Sequence, residues 1–263
     1  MREPGLDEAI RAAGGVSELA RRLGIAQPSV SDWERVPAER VASVEEATGV
    51  DRARLRPDLF APRAPGEAVD DVDAARAQEY ALLATLLVRA PDRDLLVRLA
   101  RLKSDTSPLG LAHARLAEAA GGADAARIER EYFDLFVGVG RGEVLPYGSY
   151  YLTGFLHERP LARVRGDLIQ LGIARAEDQC EPEDHIAILC EVMAGFAGGR
   201  FATNPGDDRG LSEKQFFDKH LAPWARRFFA DLERAEAADF YRAVAAVGAT
   251  FIDIETEAFA LPS

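Results

Sequence analysis

Apolar residues recur at three- and four-residue steps along most of the chain, the period of a helix with one buried stripe. The plainest run is Ile186, Leu189, Val192, Met193 and Phe196. It predicts a helix over 182–196, with Pro182 at a first helical position and Glu183 and Asp184 in the first turn, where the helix dipole favours acidic groups. On this reading His185 stands at the mouth of a core helix and Asp184 turns to the polar side. The same period predicts helices over 73–90, 93–102, 108–119, 124–137, 160–171, 213–220, 223–235 and 237–258. Runs alternating β-branched and polar residues are nearly absent, so the expected fold class is all-α. Residues 138–148, rich in glycine, interrupt the pattern and are expected to form a connecting or functional loop.

Residues 6–56 break into shorter runs: Leu6 to Ala13 ended by Gly14-Gly15, Ser17 to Leu23 ended by Gly24, a third opening near Gln27-Pro28, and a fourth over Pro37 to Thr48. Helix, short glycine-containing turn, helix is the grammar of a helix-turn-helix unit. The stretch PDLFAPRAPGEAVDDVD that follows holds three prolines, a glycine and four aspartates, the composition of a linker. The expected domains are a small helix-turn-helix domain over 1–60, a flexible linker over 61–72 and a larger helical bundle over 73–263.

With 263 residues, 48% of them hydrophobic, the chain has ample material for a core. The net charge of -12 is uneven: residues 1–66 hold 10 Arg against 11 Asp plus Glu, net -1, which leaves -11 for 67–263. An acidic surface disfavours broad contact with nucleic acid and favours cationic partners. The two cysteines, Cys180 and Cys190, are too few for a disulfide scaffold and lack zinc spacing, which fits reduced thiols in a cytosol and no metal site. The N-terminus has no apolar signal region, and no segment reaches about 18 uninterrupted apolar residues, so neither secretion nor membrane insertion is expected. No nucleophile–base pair or cofactor fingerprint appears, and GVGRG in the glycine-rich loop lacks a Lys-Ser/Thr ending. The expectation is a protein that is not an enzyme and carries no cofactor. His113, His157 and His220 read as surface or capping residues.

The larger part carries EYFDLFVGVGRGEVLPYGSYYLTGFLHERPLARVRGDLIQLGI, then EPEDHIAILCEVMAGF, FFDKHLAPWARRFFADL and FYRAVAAVGATFIDIE. Over roughly 76–260 it resembles the TorD/DmsD family of redox-enzyme maturation chaperones, through LF-x-G, PY-x-S-x-Y and EP-x-DH in that order. The resemblance implies an all-α cytoplasmic chaperone for a molybdopterin oxidoreductase, of formate dehydrogenase or dimethyl-sulfoxide-reductase type. Such a chaperone binds the twin-arginine signal peptide or the apoenzyme before cofactor insertion and export. It also implies leader recognition by Asp184 and His185, and it leaves a homodimer open, since relatives include domain-swapped forms. A receptor for two guanidinium groups followed by an apolar stretch needs carboxylates beside an apolar groove. Glu181, Glu183 and Asp184 fit the first need, and Tyr147, Tyr150, Tyr151, Phe155 and Trp224 the second. Tyr147, Ser149 and Tyr151, two apart, would share a side of an extended or turn segment. Two alternatives stand beside this reading: Glu183 and Asp184 as charge compensation at a helix N-terminus, and His185 as a hydrogen-bonded histidine closing the core. If the site reading holds, replacing both Asp184 and His185 by alanine should weaken partner capture and leave the fold largely intact.

Residues 6–60 resemble the YdaS-type or Cro-like helix-turn-helix family. The resemblance implies a recognition helix beginning at Gln27 that presents Gln27, Ser29, Ser31, Asp32 and Arg35 to DNA, with Val30 and Trp33 facing the core. Arg21, Arg22 and Arg40 would reach phosphates. The domain has no lysine and a net charge near zero, and Asp32 would repel phosphate, so a protein-interaction or dimerisation module remains the alternative. At the level of the whole protein, the rival to a chaperone is a transcriptional regulator that uses the larger domain to sense a client precursor.

Overall fold

The computed structural model describes residues 3–31, 33–37, 40–56, 70–174, 181–201 and 211–261. Most of the expected linker, together with Asp32 and Cys180, lies outside these residues. Among the described residues every regular element is helical, apart from one isolated β-bridge. The described residues up to Asp73, with 165–174, 195–201, 211 and 212, form one compact unit. Those of 74–164, 181–194 and 213–261 form a second.

The N-terminal helices are α1 (Pro4–Ala13), α2 (Val16–Arg22), α3 (Gln27–Ser31), α4 (Val41–Thr48) and α5 (Arg52–Leu55). Pro4 opens α1 in the first turn, where its missing N–H costs nothing, and Gly14 closes it in the left-handed conformation with φ 94°. Leu6, Ala9, Leu19, Val30, Val41, Val44 and Leu55 make a continuous apolar core, and Trp33 packs against it half-buried. The short turn between α2 and α3 leaves Gln27, Ser29 and Ser31 exposed while Val30 is buried, the division of faces expected for a recognition helix. The fourth helix opens at Val41, later than expected, and α5 is an addition. Arg56 beyond it is buried and donates to the Val36 carbonyl at 2.8 Å.

The rest of the chain supplies α6 (Asp71–Val88), α7 (Arg93–Leu99), α8 (Pro108–Gly121), α9 (Ala125–Tyr132), a π-helical turn (Phe133–Val137), α10 (Gly148–Thr153), α11 (Arg159–Gln170), α12 (Ile186–Ala197), α13 (Glu213–His220), α14 (Ala225–Arg234) and α15 (Phe240–Ala260). Apolar periodicity located these within a few residues, with two departures. The helix expected from Pro182 begins only at Ile186. Residues 148–153, expected to be extended or turn, are helical. α15 is the central element, burying Phe240, Tyr241, Val244, Val247, Phe251 and Ile252. It lies against α14 so closely that a Cβ on Gly248 would sit 2.1 Å from the Phe229 ring, a position only glycine fills without displacing that ring.

A buried ionic cluster ties α6, α13 and α15 together. Arg76 donates to Glu255 at 2.7 Å and to Glu213 at 2.6 Å, and the Tyr80 hydroxyl donates to Glu255 at 2.8 Å. Glu255, almost wholly buried, is thus paired and hydrogen-bonded, without which burying a carboxylate would be very costly. His113 is likewise no surface residue: its Nε2 lies 3.0 Å from the Glu79 carboxylate, a bond that raises its pKa. His220 is buried, and His157 alone of these three is exposed, in the left-handed region with φ 61°. Among the described residues no helix is long and apolar enough to cross a membrane, and no group of side chains has metal-binding character.

Candidate functional site

The segments 146–149 and 181–187, far apart in sequence, are knitted together by backbone hydrogen bonds. Tyr147 and His185 form the antiparallel bridge, Gly148 N–H donates to the Asp184 carbonyl at 2.9 Å, and Ile186 N–H donates to the Pro146 carbonyl at 2.8 Å. These bonds hold 181–185 in a turn, so the helix cannot start at Pro182. Side chains continue the join: Ser149 N–H donates to Asp184 Oδ2 at 2.7 Å, and the Tyr147 hydroxyl donates to Glu181 at 2.6 Å. Two of the sequence blocks that mark the resemblance are therefore one structural object.

That object is buried, which corrects the expectation of an open acidic mouth. Asp184 is 1% exposed, His185 3% and Glu183 7%, and Ser149, Tyr151 and Trp224 are buried with them. Of the ten residues expected to meet a client, Glu181, Tyr147 and Tyr150 are half-buried and Phe155 is exposed, while the other six are buried. Asp184 does not turn to the polar side, because its carboxylate accepts from the Ser149 N–H in the first turn of α10. His185 Nδ1 accepts from the Ala187 N–H at 3.1 Å, and its ring packs edge-on to Tyr147. Burial pushes the His185 pKa down to about 4, against the opposing pull of Glu181 and Asp184. The ring is therefore neutral at pH 7, as a closed interior requires. Burial, followed by the bond to Glu181, raises the Tyr147 pKa.

Trp224 forms the floor. It stacks on Tyr151 with ring centroids 5.4 Å apart and donates from Nε1 to the His220 carbonyl at 2.6 Å. Gly148 lies so close that a Cβ there would be 3.1 Å from that nitrogen. Tyr151 donates to Asp231 at 3.0 Å, and the Arg227 guanidinium lies over its ring and bonds its carbonyl. The result is a polar-aromatic joint between α10, α14 and the turn before α12.

Two polar atoms of the joint, Ser149 Oγ and Asp184 Oδ1, have no hydrogen-bond partner among the described residues. Asp184 borders a small cleft of about 20 Å³, shared with Leu152, Arg163, Lys219, His220 and Trp224. That is room for about one water molecule. A guanidinium group could reach the free carboxylate oxygen only if the cleft opened. Removing the Asp184 carboxylate would strand the Ser149 N–H and cost about 2 kcal/mol. Replacement of Asp184 and His185 by alanine is accordingly expected to weaken the fold, contrary to the reading from sequence.

Accessible nearby are the cleft residues Arg163 and Lys219 and a set of apolar side chains. Phe155 is 70% exposed, Val139 98%, and Leu152 and Leu156 are exposed too. Arg141 in the glycine-rich loop donates to the Tyr150 hydroxyl at 3.0 Å and lies over its ring. Sequence reasoning named Phe155 but missed Val139, Leu152 and Leu156, which a lone glycine-flanked valine and the helix-end repeat Leu-Thr-Gly-Phe-Leu signal only weakly. Cys190 is fully inside, its thiol pushed up to about 12 by burial, and is inert.

In the N-terminal unit, Gln27, Ser29, Ser31, Arg21, Arg22 and Arg35 are all exposed, as a DNA-facing surface requires. Arg21 and Arg22, however, both bond Glu18, and Arg35 lies 3.9 Å from Glu3.

The sequence model of the family described as nitrate reductase delta subunit matches residues 102–230, and that described as bacterial toxin YdaS matches residues 6–64. A protein of Haemophilus influenzae named probable Tat proofreading chaperone DmsD is 32% identical over 120 residues, which are 45% of this chain and 55% of that protein. The chaperone protein TorD of Aliivibrio salmonicida is 26% identical over 135 residues, 49% of this chain and 63% of that one. The chain thus spans less than two thirds of these relatives' lengths. The putative transcriptional regulator YdaS of Escherichia coli K12 is 41% identical over 58 residues, 20% of this chain and 59% of that protein. Residues 102–230 are thus similar to the nitrate reductase delta subunit family and residues 6–64 to the YdaS family, and the chain shares sequence with proteins named TorD, DmsD and YdaS.

Proposed function

We propose that this protein is a cytoplasmic maturation chaperone for a molybdopterin oxidoreductase, of formate dehydrogenase or dimethyl-sulfoxide-reductase type. It would hold the twin-arginine leader or the apoenzyme until the cofactor is in place. The observation that carries the reading is the joint itself: PYGSY and EPEDH, remote in sequence, are bonded into one site inside a segment that matches proteins named as Tat proofreading and TorD chaperones. Within it, Asp184, His185, Ser149 and Trp224 act as positioning residues. They set the turn that carries Glu181 and Tyr147 and the helix end that carries Leu152 and Phe155. A cationic and apolar peptide would meet Glu181 and these exposed side chains first, and the free oxygen of Asp184 would be used only on opening of the cleft. The non-enzymatic character follows from the chaperone reading, and the proposed layout is residues 1–60, a linker over 61–72 and the chaperone domain over 73–263.

The test is calorimetry of the full chain with twin-arginine leader peptides from the source organism's own oxidoreductases. Saturable binding is expected, weakened at least tenfold when both leader arginines become glutamines and also weakened by Phe155→Ser. Absence of binding to every such leader and to the apoenzymes themselves would remove the reading.

A second reading, a DNA-binding regulator, is favoured by one observation: α3 exposes Gln27, Ser29 and Ser31 and buries Val30, in a segment 41% identical to a protein named as a putative transcriptional regulator. The two readings are compatible within one chain.

A further inference from the structure

The outward face of the N-terminal unit has two features that bear jointly on its partner. Among the described residues 3–56 no large apolar side chain is exposed, so the unit offers no greasy face to a protein. Several of its exposed arginines are also matched by carboxylates of the same unit, whereas Arg11 donates to the Asp7 carbonyl. Arg52 pairs with Glu45 at 2.6 Å and Arg54 with Glu8 at 3.0 Å, while Arg21 and Arg22 share Glu18. Such a surface suits a polar partner, and it withholds cationic charge from a phosphate backbone.

Glu18 is placed to control this. It stands on α2, one helical turn before Arg21 and Arg22, at the end of the helix that leads through a short turn into α3. Its two oxygens take the Arg21 guanidinium side-on, at 2.9 Å from Nε and 2.5 Å from the terminal nitrogen, and Nε of Arg22 lies 3.4 Å away. Arg22 is also fixed by donation to the Ala47 carbonyl at 2.8 Å, whereas the Arg21 side chain is 73% exposed and bonds Glu18. In a helix-turn-helix complex the helix before the recognition helix crosses the phosphate backbone, and Arg21 is the side chain there with the freedom to reach it.

We propose that Glu18 is an internal competitor for phosphate, holding Arg21 so that the unit engages duplex DNA with few phosphate contacts and reads it through Gln27, Ser29 and Ser31. This rests on the DNA-binding reading of the unit. An ion pair at the surface is weak, weak enough for a phosphate to displace yet deducted from every encounter. The consequence is binding of low affinity and shallow salt dependence, which a single copy cannot turn into occupancy without a second half-site. The hydrogen bond from Arg21 also holds the Glu18 carboxyl down at about 2, so the competitor stays ionised at any physiological pH.

The experiment is fluorescence anisotropy of the full chain with a labelled duplex from its own upstream region, titrated at several salt concentrations. Glu18→Gln is expected to tighten binding about fivefold at low salt and to steepen the log–log salt slope by about 0.9, one added phosphate contact. The double variant Glu18→Gln with Arg21→Gln should return the slope to that of the unaltered protein. If the unaltered protein binds and Glu18→Gln changes neither affinity nor slope, the competitor role is overturned and DNA binding stands. If neither protein binds the duplex at the lowest salt, the DNA reading falls and the competitor role falls with it. Arg21 is exposed and Glu18 half-buried, neither of them part of the apolar core, and an unchanged circular dichroism spectrum verifies that the unit remains folded.

Discussion

His185 shows how one buried ring couples the joint to pH. In the folded protein its pKa is about 4 because burial disfavours the charged ring, while in the unfolded chain it returns to about 6.5. Between those values the unfolded state binds the proton and the folded state does not, so stability rises with pH through the window and is lost as pH falls from about 6.5 to 4. The full effect is about 3 kcal/mol. His185→Asn keeps an acceptor for the Ala187 N–H and cannot titrate. Urea midpoints measured from pH 7 to pH 4.5 should therefore fall more steeply for the unaltered protein than for His185→Asn. His113, whose pKa is raised by Glu79, contributes in the opposite sense but is present in both proteins, so the difference isolates His185. Parallel midpoints would mean that the ring is protonated in place and that the joint opens to water.

At the scale of elements, α15 depends on a cap supplied from far away in sequence. Glu131 on α9 accepts from the Asp239, Phe240 and Tyr241 N–H groups at 2.8, 3.1 and 2.7 Å. Glu143 accepts from Glu236 and Ala237 just before. Asp239 itself makes no side-chain cap, so Glu131 satisfies donors that the helix leaves open and adds negative charge where the dipole favours it. Glu131→Ala is expected to cost about 1–2 kcal/mol, and amide exchange should quicken at 239–243 while the middle of α15 stays protected; uniform loss of protection along α15 would show that the cap is not a local device. The helices themselves were legible because a 3.6-residue apolar period is a local signal. What local signals missed were events set by distant partners. Pro182 and the acidic pair after it carry every mark of a helix start, yet the bonds to Pro146 and Tyr147 hold them in a turn. Tyr147, Ser149 and Tyr151 alternate like a strand, yet the Asp184 carboxylate at the Ser149 N–H starts a helix there. The candidate site was thus legible as a set of residues that belong together, and illegible as an interior.

For the whole molecule, the sequence separates a near-neutral N-terminal part from an acidic remainder, and, among the described residues, 6–55 bury an apolar cluster while a larger aromatic core lies elsewhere in the chain. The cores differ in scale. The N-terminal one is built on small and aliphatic side chains with Trp33 at its edge, whereas the other encloses Tyr80, Phe216, Phe217, Trp224, Phe228, Phe229 and Tyr241. A short segment buries a smaller fraction of its surface and exposes less on unfolding, so it responds less steeply to denaturant and starts from lower stability. The chain's two tryptophans, Trp33 and Trp224, fall one in each core, which makes the difference measurable without truncation. Tryptophan fluorescence of the intact protein in rising urea should show two steps, the first shallow and at low urea. In Trp33→Phe, where only Trp224 reports, the first step should vanish and the second stay in place. A single step at the same midpoint in both proteins would mean that the two cores unfold as one.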